Sequence, residues 1–438
     1  MKVLHLPESY LPWRTGGKEV YCHTLAKALQ ADAVESIVAV HQNAIPSIPT
    51  GTYSHEGIPV HVLPPLPGYG QRRALCTREF DEIPGFEELL EKLGPDVVHF
   101  HDQGGGASLT HLKAVKARKI AAVLTYHTPG QTCPQSELMR FGRIPCDGAL
   151  RLQRCTNCRL STSGLPRPFS DLAALAEWPG FDPWSGSSLA RVMTARKMVK
   201  LFRQSLRQVM ELADAIVILA EWSREVWLCN GAPREKIHLI RTGGQPAYAG
   251  NPGPRYPERK PFRIVCSGRC TRIKGFHVLV EAVKQLPADL AIEVNFLGPY
   301  WDGPYGRQLL ERIAGDPRFK APILVPNAEM FPVLAGMDLA VIPSLWLETG
   351  PLTAFDAFAA GLPICGSRLG GIAEVICDGV DGRLFESGDS SQLARILMDL
   401  YSHPEKLEEL RENVRQLRTF REIARETTAL YNQLLIPE

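Results

Sequence analysis

Three stretches place chemically capable residue types at fixed spacing. The first is Gly268-Arg269, followed five residues later by Lys274-Gly275 just before a helical pattern. Arginine presents a planar fork of donors and lysine a compact charge, so together they suit a diphosphate. Taken alone they read as two solvated cations at a helix start, and only a neighbouring site turns them toward phosphate. The second stretch runs from Glu348 to Glu374. Glu348-Thr349-Gly350-Pro351-Leu352 is a glycine-containing turn that opens a helix. The backbone N–H groups of Gly350 to Leu352 and the positive helix end suit a phosphate or a polar sugar edge. Glu348 is placed to accept hydrogen bonds from hydroxyls. Asp356, eight positions on, lies in the first half of the helix. Gly361 and Pro363 stop that helix, Gly370-Gly371 opens another turn, and Glu374 follows.

The third stretch is Cys133, Cys146, Cys155 and Cys158, of which the last two form Cys-x2-Cys. Four thiolates suit a closed tetrahedral zinc site with no open position, hence a structural one. An iron–sulfur cluster and unligated thiols are the other two readings. The remaining cysteines, such as Cys22, Cys266 and Cys365, lie in apolar contexts and read as core.

Two weaker signals lie near the start. Gly16 and Gly17, in Trp13-Arg14-Thr15-Gly16-Gly17, lie between the first strand and the first helix. There they let backbone approach a phosphate or sugar closely, or simply make a tight turn. His127 ends a strand, where it faces a ligand or fills the interior. His99 and His101 sit near another strand end. His101, before Gly104-Gly105-Gly106, is placed to face an acceptor, whereas His99 points into the core.

The segment from Pro343-Ser344 through Glu348, Gly350, Asp356-Ala357, Ala360-Gly361, Pro363, Gly370-Gly371, Glu374, Gly379 and Gly382 resembles the family-4 glycosyltransferases. Residue types, order and spacing all match, except that Asp356 stands where the family pattern has a second glutamate. The resemblance is strong from about Phe262 to Phe385 and collinear but weaker before that. It implies the GT-B fold and retaining, hexosyltransferase-type sugar transfer from a nucleotide-sugar donor. It further implies that Arg269 and Lys274 contact the diphosphate, Glu348 the donor sugar and Asp356 the ribose, with altered reach. Gly16 and Gly17 correspond to the glycine-rich loop over donor and acceptor, and His127 to a histidine beside the sugar. The chain has no Asp-x-Asp sequence, so metal-independent catalysis is expected, with Arg269 and Lys274 replacing a cation. The acceptor class stays open among a sugar, a lipid-linked and a small-molecule acceptor. A nucleotide-sugar epimerase or a phosphorylase on the same fold, or an inactive binding protein, are the alternative readings.

These residues need elements to hold them. Strand and helix patterns alternate from Lys2 to Tyr126, with a helix at Phe86 to Leu93, break between about 131 and 184, and resume with a helical stretch from Leu189 to Leu212. A linker at Gly243 to Lys260 precedes a second alternating half, which includes strands at Ile323 to Val325 and Leu339 to Ile342 and a helical tail from Glu405 to Leu435. Alternation implies parallel sheets covered on both faces. The expectation is α/β with two facing Rossmann-like, doubly wound domains. The first, 1–245, is the acceptor domain with a cysteine-rich insertion at 131–184. The second, 246–415, is the donor domain, and the helix 416–438 crosses back to the first. In such sheets ligands sit at the carboxyl ends of strands. Composition agrees with a globular chain: 438 residues, 45% apolar and 22% charged, formal net charge +2. That balance gives no whole-chain case for nucleic acid as a partner. No signal peptide or 20-residue apolar span is visible, which predicts a cytoplasmic protein. Basic residues from Arg191 to Arg207 are interspersed with apolar ones. They predict either an amphipathic helix packed on the sheet or peripheral contact with an anionic membrane.

Overall fold

The computed structural model describes residues 1–44, 48–102, 107–244, 246–251, 253–326 and 329–436, so Gly104-Gly105-Gly106 lies outside the described residues. Contacts divide the chain into two units. The first is Met1–Arg241 together with the stretch from Phe420 onward, and the second is Thr242–Thr419. The sequence reading put these joins at 245/246 and 415/416.

The first unit is built on β1 (Lys2–Pro7), β2 (Glu35–His41), β3 (Gly51–His55), β4 (Ile58–Leu63), β5 (Val97–His101) and β6 (Ala121–Tyr126). A separate small hairpin, β7 (Met139–Arg140) and β8 (Ile144–Pro145), follows. β9 (Ala215–Ile218) and β10 (Ile237–Leu239) then complete the main sheet, in the order β10-β9-β6-β5-β1-β2-β4-β3. All neighbours are parallel except β3 and β4. Side chains alternate between faces. Leu4, Leu6, Val98 and Phe100 therefore share one layer with Phe86, Phe202 and Trp227. Val3, Val97 and Val123 share the other with helices Gly17–Ala31 and Phe420–Leu435. The same alternation sends His5, His99 and His101 to this second face. Buried histidines need partners. His99 finds two, Tyr431 Oη and Thr125 Oγ1, each at 2.6 Å.

The second unit carries β11 (Phe262–Ser267), β12 (Ile292–Leu297), β13 (Leu339–Ile342), β14 (Ile364–Ser367) and β15 (Gly382–Phe385), all parallel, in the order β12-β11-β13-β14-β15. Its strand order reverses between β11 and β13, and that of the first sheet between β1 and β5. Loops at such switch points diverge, leaving a place for ligand at the strands' carboxyl ends.

Three expectations change. The helical stretch 189–212 is two helices, Ser188–Met193 and Ala195–Leu212. The break falls at Thr194, whose hydroxyl bonds back to the Ala190 carbonyl at 2.6 Å. The tail from 405 to 435 is also two helices, Pro404–Glu412 and Phe420–Leu435, which fall in different units. Ile323 to Val325 makes one isolated bridge, Leu297 with Ile323, and no strand, because Pro322 and Pro326 on either side donate nothing to a ladder. Between 131 and 184 lie the hairpin and helices Leu152–Thr162 and Arg167–Ala173. They share a small apolar core of Leu160, Ala173 and Ala195 with the helix Ala195–Leu212. Among the described residues no helix is long and apolar enough to cross a membrane.

The tie between Tyr431 and His99 yields a prediction. Tyr431→Phe leaves the His99 Nδ1 without its partner inside the core, which costs about 1–3 kcal/mol. Urea denaturation should show that loss, and an unchanged midpoint would remove the bond from the account of how the last helix is held.

Candidate active site

The switch point of the second sheet is held by a close backbone approach. After β11 the chain runs through Gly268-Arg269 and a short 3-10 turn, Arg272–Lys274, into the helix Phe276–Lys284. Gly275 joins turn to helix at φ +71°, and a Cβ there would lie 1.8 Å from the Pro343 carbonyl oxygen. Only glycine lets the loop after β11 press on the loop after β13. The Leu345 N–H to Ile273 carbonyl bond, 2.7 Å, seals the contact. Lys274 Nζ thereby comes to 2.6 Å from Glu348 Oε1, and the Ser344 hydroxyl donates to the same oxygen at 2.8 Å. Glu348 is buried. Burial pushes its carboxyl pKa up, but the Lys274 charge and hydrogen bond outweigh this and hold it below the usual range. It is therefore a carboxylate. From behind, the Gly371 N–H donates to the Glu348 carbonyl at 2.7 Å, and a Cβ on Gly371 would meet that oxygen at 2.7 Å. This is the role of the Gly370-Gly371 turn. Glu374 lies exposed on the helix it opens, Gly370–Val375.

Arg269 is exposed and makes no ion pair among the described residues. Lys274 keeps further N–H donors beyond the one given to Glu348. The helix after Glu348 is Leu352–Ala359, with Pro351 as its N-cap. This corrects the expected donor set: Pro351 has no N–H, so the backbone donors of that turn are the amides of Gly350 and Leu352. Thr349 is buried. Asp356 differs from Glu348 in kind. No hydrogen bond or ion pair reaches its carboxyl among the described residues, and burial alone raises its pKa to about 7.

In the first unit, Gly16 is the N-cap of the helix Gly17–Ala31, with extended backbone. One residue on, Lys18 Nζ lies 2.9 Å from Glu8 and 3.9 Å from Asp102. Asp102 is buried at φ +67° just past β5. It accepts from the backbone N–H of His127 (2.8 Å) and of Thr128 (3.1 Å), from Thr128 Oγ1 (2.9 Å) and from Gln131 Nε2 (2.7 Å). Sequence reasoning passed over Asp102. The available signal was an acid directly after a strand-end histidine and before glycines. His127 is buried at the end of β6, with its Nε2 3.1 Å from His101 Nδ1. His101 Nε2 is in turn 3.1 Å from His5 Nδ1. His101 is thus interior and does not face an acceptor, because its place in β5 turns it to the covered face. Burial pushes the pKa of His5 and His127 to about 3 and that of His101 well below its ordinary value. All three are neutral, so each ring donates through one nitrogen and accepts through the other. Cys133, Cys146, Cys155 and Cys158 lie apart from this row as thiols outside any disulfide.

Comparison with known proteins bears on this geometry. Residues 16–243 match the family model described as a glycosyl transferase 4-like domain, and residues 261–403 that described as glycosyl transferases group 1. The putative colanic acid biosynthesis glycosyltransferase WcaL of Escherichia coli is 27% identical over 220 residues, 47% of this chain and 52% of that protein. The MMP alpha-(1->4)-mannosyltransferase of Mycolicibacterium hassiacum is 27% identical over 242 residues, 54% of this chain and 57% of that protein. The chain thus spans about half the length of the curated relatives it matches. Among solved structures, Anabaena Alr3699/HepE in complex with UDP superposes with TM-score 0.63 at 16% identity, covering 99% of this chain and 100% of that one. A Rickettsia africae glycosyltransferase gives 0.64 at 14% identity, covering 100% and 99%. These likenesses show the fold.

Asp356 sets a pH dependence. Between about pH 4 and pH 7 the folded chain keeps a proton that the unfolded chain has lost, so stability falls as pH rises through that window. Asp356→Asn should flatten this fall when urea midpoints are compared at pH 5 and pH 8. Parallel pH profiles for the two proteins would show that Asp356 is not the titrating group.

Proposed function

The chain belongs to the group 1 glycosyl transferases, and from that premise we propose that it is a retaining enzyme moving a hexose from a nucleotide-diphosphate sugar to an acceptor hydroxyl. The observation that carries this reading is the cationic switch point of the second sheet: exposed Arg269 in the loop after β11, and five residues on the half-buried Lys274 paired with buried Glu348. A diphosphate set there meets one guanidinium and the spare donors of Lys274, and both stabilise the charge that grows as the glycosidic bond breaks. In this reading no catalytic metal is needed. Glu348 and the amides of Gly350 and Leu352 orient the sugar hydroxyls. Asp356 faces the ribose, and nucleotide binding draws its proton away. His127, neutral at physiological pH, supports the sugar by donating or accepting one hydrogen bond, with Asp102 fixing its backbone. Its low pKa makes it a poor base, so the hydroxyl proton goes to the departing diphosphate oxygen, on the face from which attack comes. Gly16 and Gly17 give the ligand close approach to backbone. Sugars, lipid-linked sugars and small alcohols are the acceptor classes to be tried.

UDP and UDP-glucose, which the HepE structures hold, are the first ligands to test by thermal shift, since a ligand bound only to the folded state raises apparent stability. In a transfer assay Arg269→Ala should lower kcat/KM by about 10²–10³-fold. Undiminished turnover by that variant would overturn the diphosphate assignment. Product analysis separates the alternatives, because an epimerase acts without acceptor and a phosphorylase requires free phosphate. NMR of the product's anomeric proton decides retention.

A surface feature supports peripheral membrane contact and hence a lipid-linked acceptor. Residues 131–207 contain twelve Lys or Arg against five Asp or Glu, whereas the whole chain is only +2. Next to this excess, Phe169, Leu172, Leu175, Trp178 and Leu189 are exposed. Ala174 and Glu177, within that apolar stretch, bond to Arg196 and Lys200 of the basic helix. Apolar side chains and tryptophan flanked by cations suit the interface of an anionic bilayer. The protein should co-sediment with phosphatidylglycerol vesicles and not with phosphatidylcholine vesicles. Phe169→Ser/Leu172→Ser should reduce that binding several-fold. Equal behaviour of the double variant would exclude this face.

A further inference from the structure

We propose that Cys133, Cys146, Cys155 and Cys158 bind one structural zinc ion, which staples the 131–184 segment to the loop that carries His127. Three local structures bring the cysteines together. Cys133 follows the turn after β6, its N–H bonded to the Pro129 carbonyl at 2.8 Å. Cys146 follows β8, its N–H bonded to the Leu138 carbonyl at 2.8 Å across the hairpin. Cys155 and Cys158 lie about one turn apart on the helix Leu152–Thr162. Cys158 Sγ lies 4.0 Å from the Met139 carbonyl, and Met139 pairs across the hairpin with Pro145, the neighbour of Cys146.

The N–H of Phe141, at the hairpin's left-handed turn with Gly142, donates to Cys158 Sγ at 3.2 Å. As thiols, Cys146, Cys155 and Cys158 donate to Asp147 Oδ1 and to the Ala149 and Met139 carbonyls. Metal binding would replace those S–H protons and leave the Phe141 N–H on the sulfur. A neutral thiol is a weak acceptor, whereas a metal-bound thiolate needs such outer-shell donors. The segment also lacks an apolar core of adequate size. Its local cluster is Leu160, Ala173 and Ala195, while Ile144, Phe169, Leu172 and Trp184 are exposed. A stretch with so little burial gains its order from a staple.

Among the described residues, two groups of ligand-type atoms come within 4.8 Å of one another, and neither includes these cysteines: His5 with Cys22 and His101, and His23 with His55 and Glu56. The first is sealed in the core with its histidines hydrogen-bonded to each other, and in the second Glu56 is already paired with Lys27. The four cysteines are more widely spaced. Tetrahedral thiolates around zinc sit roughly 3.8 Å apart at a Zn–S length of about 2.3 Å, so binding requires the thiols to rotate inward about χ1. The consequence reaches the site. Residues 128 to 131, which clamp Asp102, lie directly before Cys133, so the ion would fix that clamp from its far side.

The test uses the full chain purified without chelators. Elemental analysis should find about one zinc per chain, and titration with a mercurial reagent should release it to a chromophoric chelator. Cys133→Ser and Cys158→Ser should each lose the zinc, and Cys377→Ser, in the other unit, should keep it. Proteolysis should cut 131–184 faster once the ion is gone. Protein devoid of zinc as purified, and taking none up when supplied with it, overturns the proposal, as does iron with acid-labile sulfide. These readouts are independent of sugar transfer, so they stand or fall apart from the proposed activity.

Discussion

The ion pair between Lys274 and Glu348 is the interaction around which the second unit is arranged. A buried carboxylate without a partner is expensive, and removing one member of a buried pair costs about 3–5 kcal/mol. The loops after β11 and β13 therefore have to meet. That meeting demands Gly275, because any Cβ would collide with the Pro343 carbonyl. The helix behind demands Gly371 for the same reason at the Glu348 carbonyl. A pair of this kind adds little net stability compared with apolar packing. Its value lies in holding an ionised acid and a partly exposed ammonium at the switch point of a parallel sheet, in the loop that also carries exposed Arg269.

The first unit uses a different electrostatic device. Besides its ion pair of Lys18 with Glu8 it presents a row of imidazoles, His5, His101 and His127, kept neutral by burial. Neutral rings in series fix one another's tautomers, so each orients its neighbour. At their end Asp102, 3.9 Å from Lys18, accepts from four N–H and O–H donors of residues 127, 128 and 131. Asp356 is set apart from both: its carboxyl is half-buried with no hydrogen bond or ion pair among the described residues, and burial raises its pKa to about 7.

Much of this was legible in the chain. The helix Phe86–Leu93 and the strand Leu339–Ile342 coincide with their expected bounds, because each has strong periodicity and clear flanking signals. Arg269, Lys274 and Glu348 were legible as candidate site residues because their neighbours in sequence, a strand end and a helix start, are local facts, and the structure brings Lys274 and Glu348 together. Asp102 was not, since nothing near it in sequence shows that four donors from residues 127–131 converge on it. His101 was misjudged because strand alternation sets the side on which a residue lies, but only the covering helices show that the side is closed. The outer strand β3 was missed because Gly51-Thr52-Tyr53-Ser54-His55 has too little apolar patterning for an edge position to betray itself.

Sequence by itself determined the alternation that builds two parallel sheets, the family pattern from Pro343 to Gly382, and the residue types of the diphosphate and cysteine sets. Only tertiary structure decided which charges are paired. Lys274 and Glu348 lie 74 residues apart, and Asp102 and Gln131 lie 29 apart. Local propensity acts over a few residues through backbone sterics. Protonation state and pairing depend on desolvation and on partners brought in by distant strands, and those exist only once the sheet is assembled.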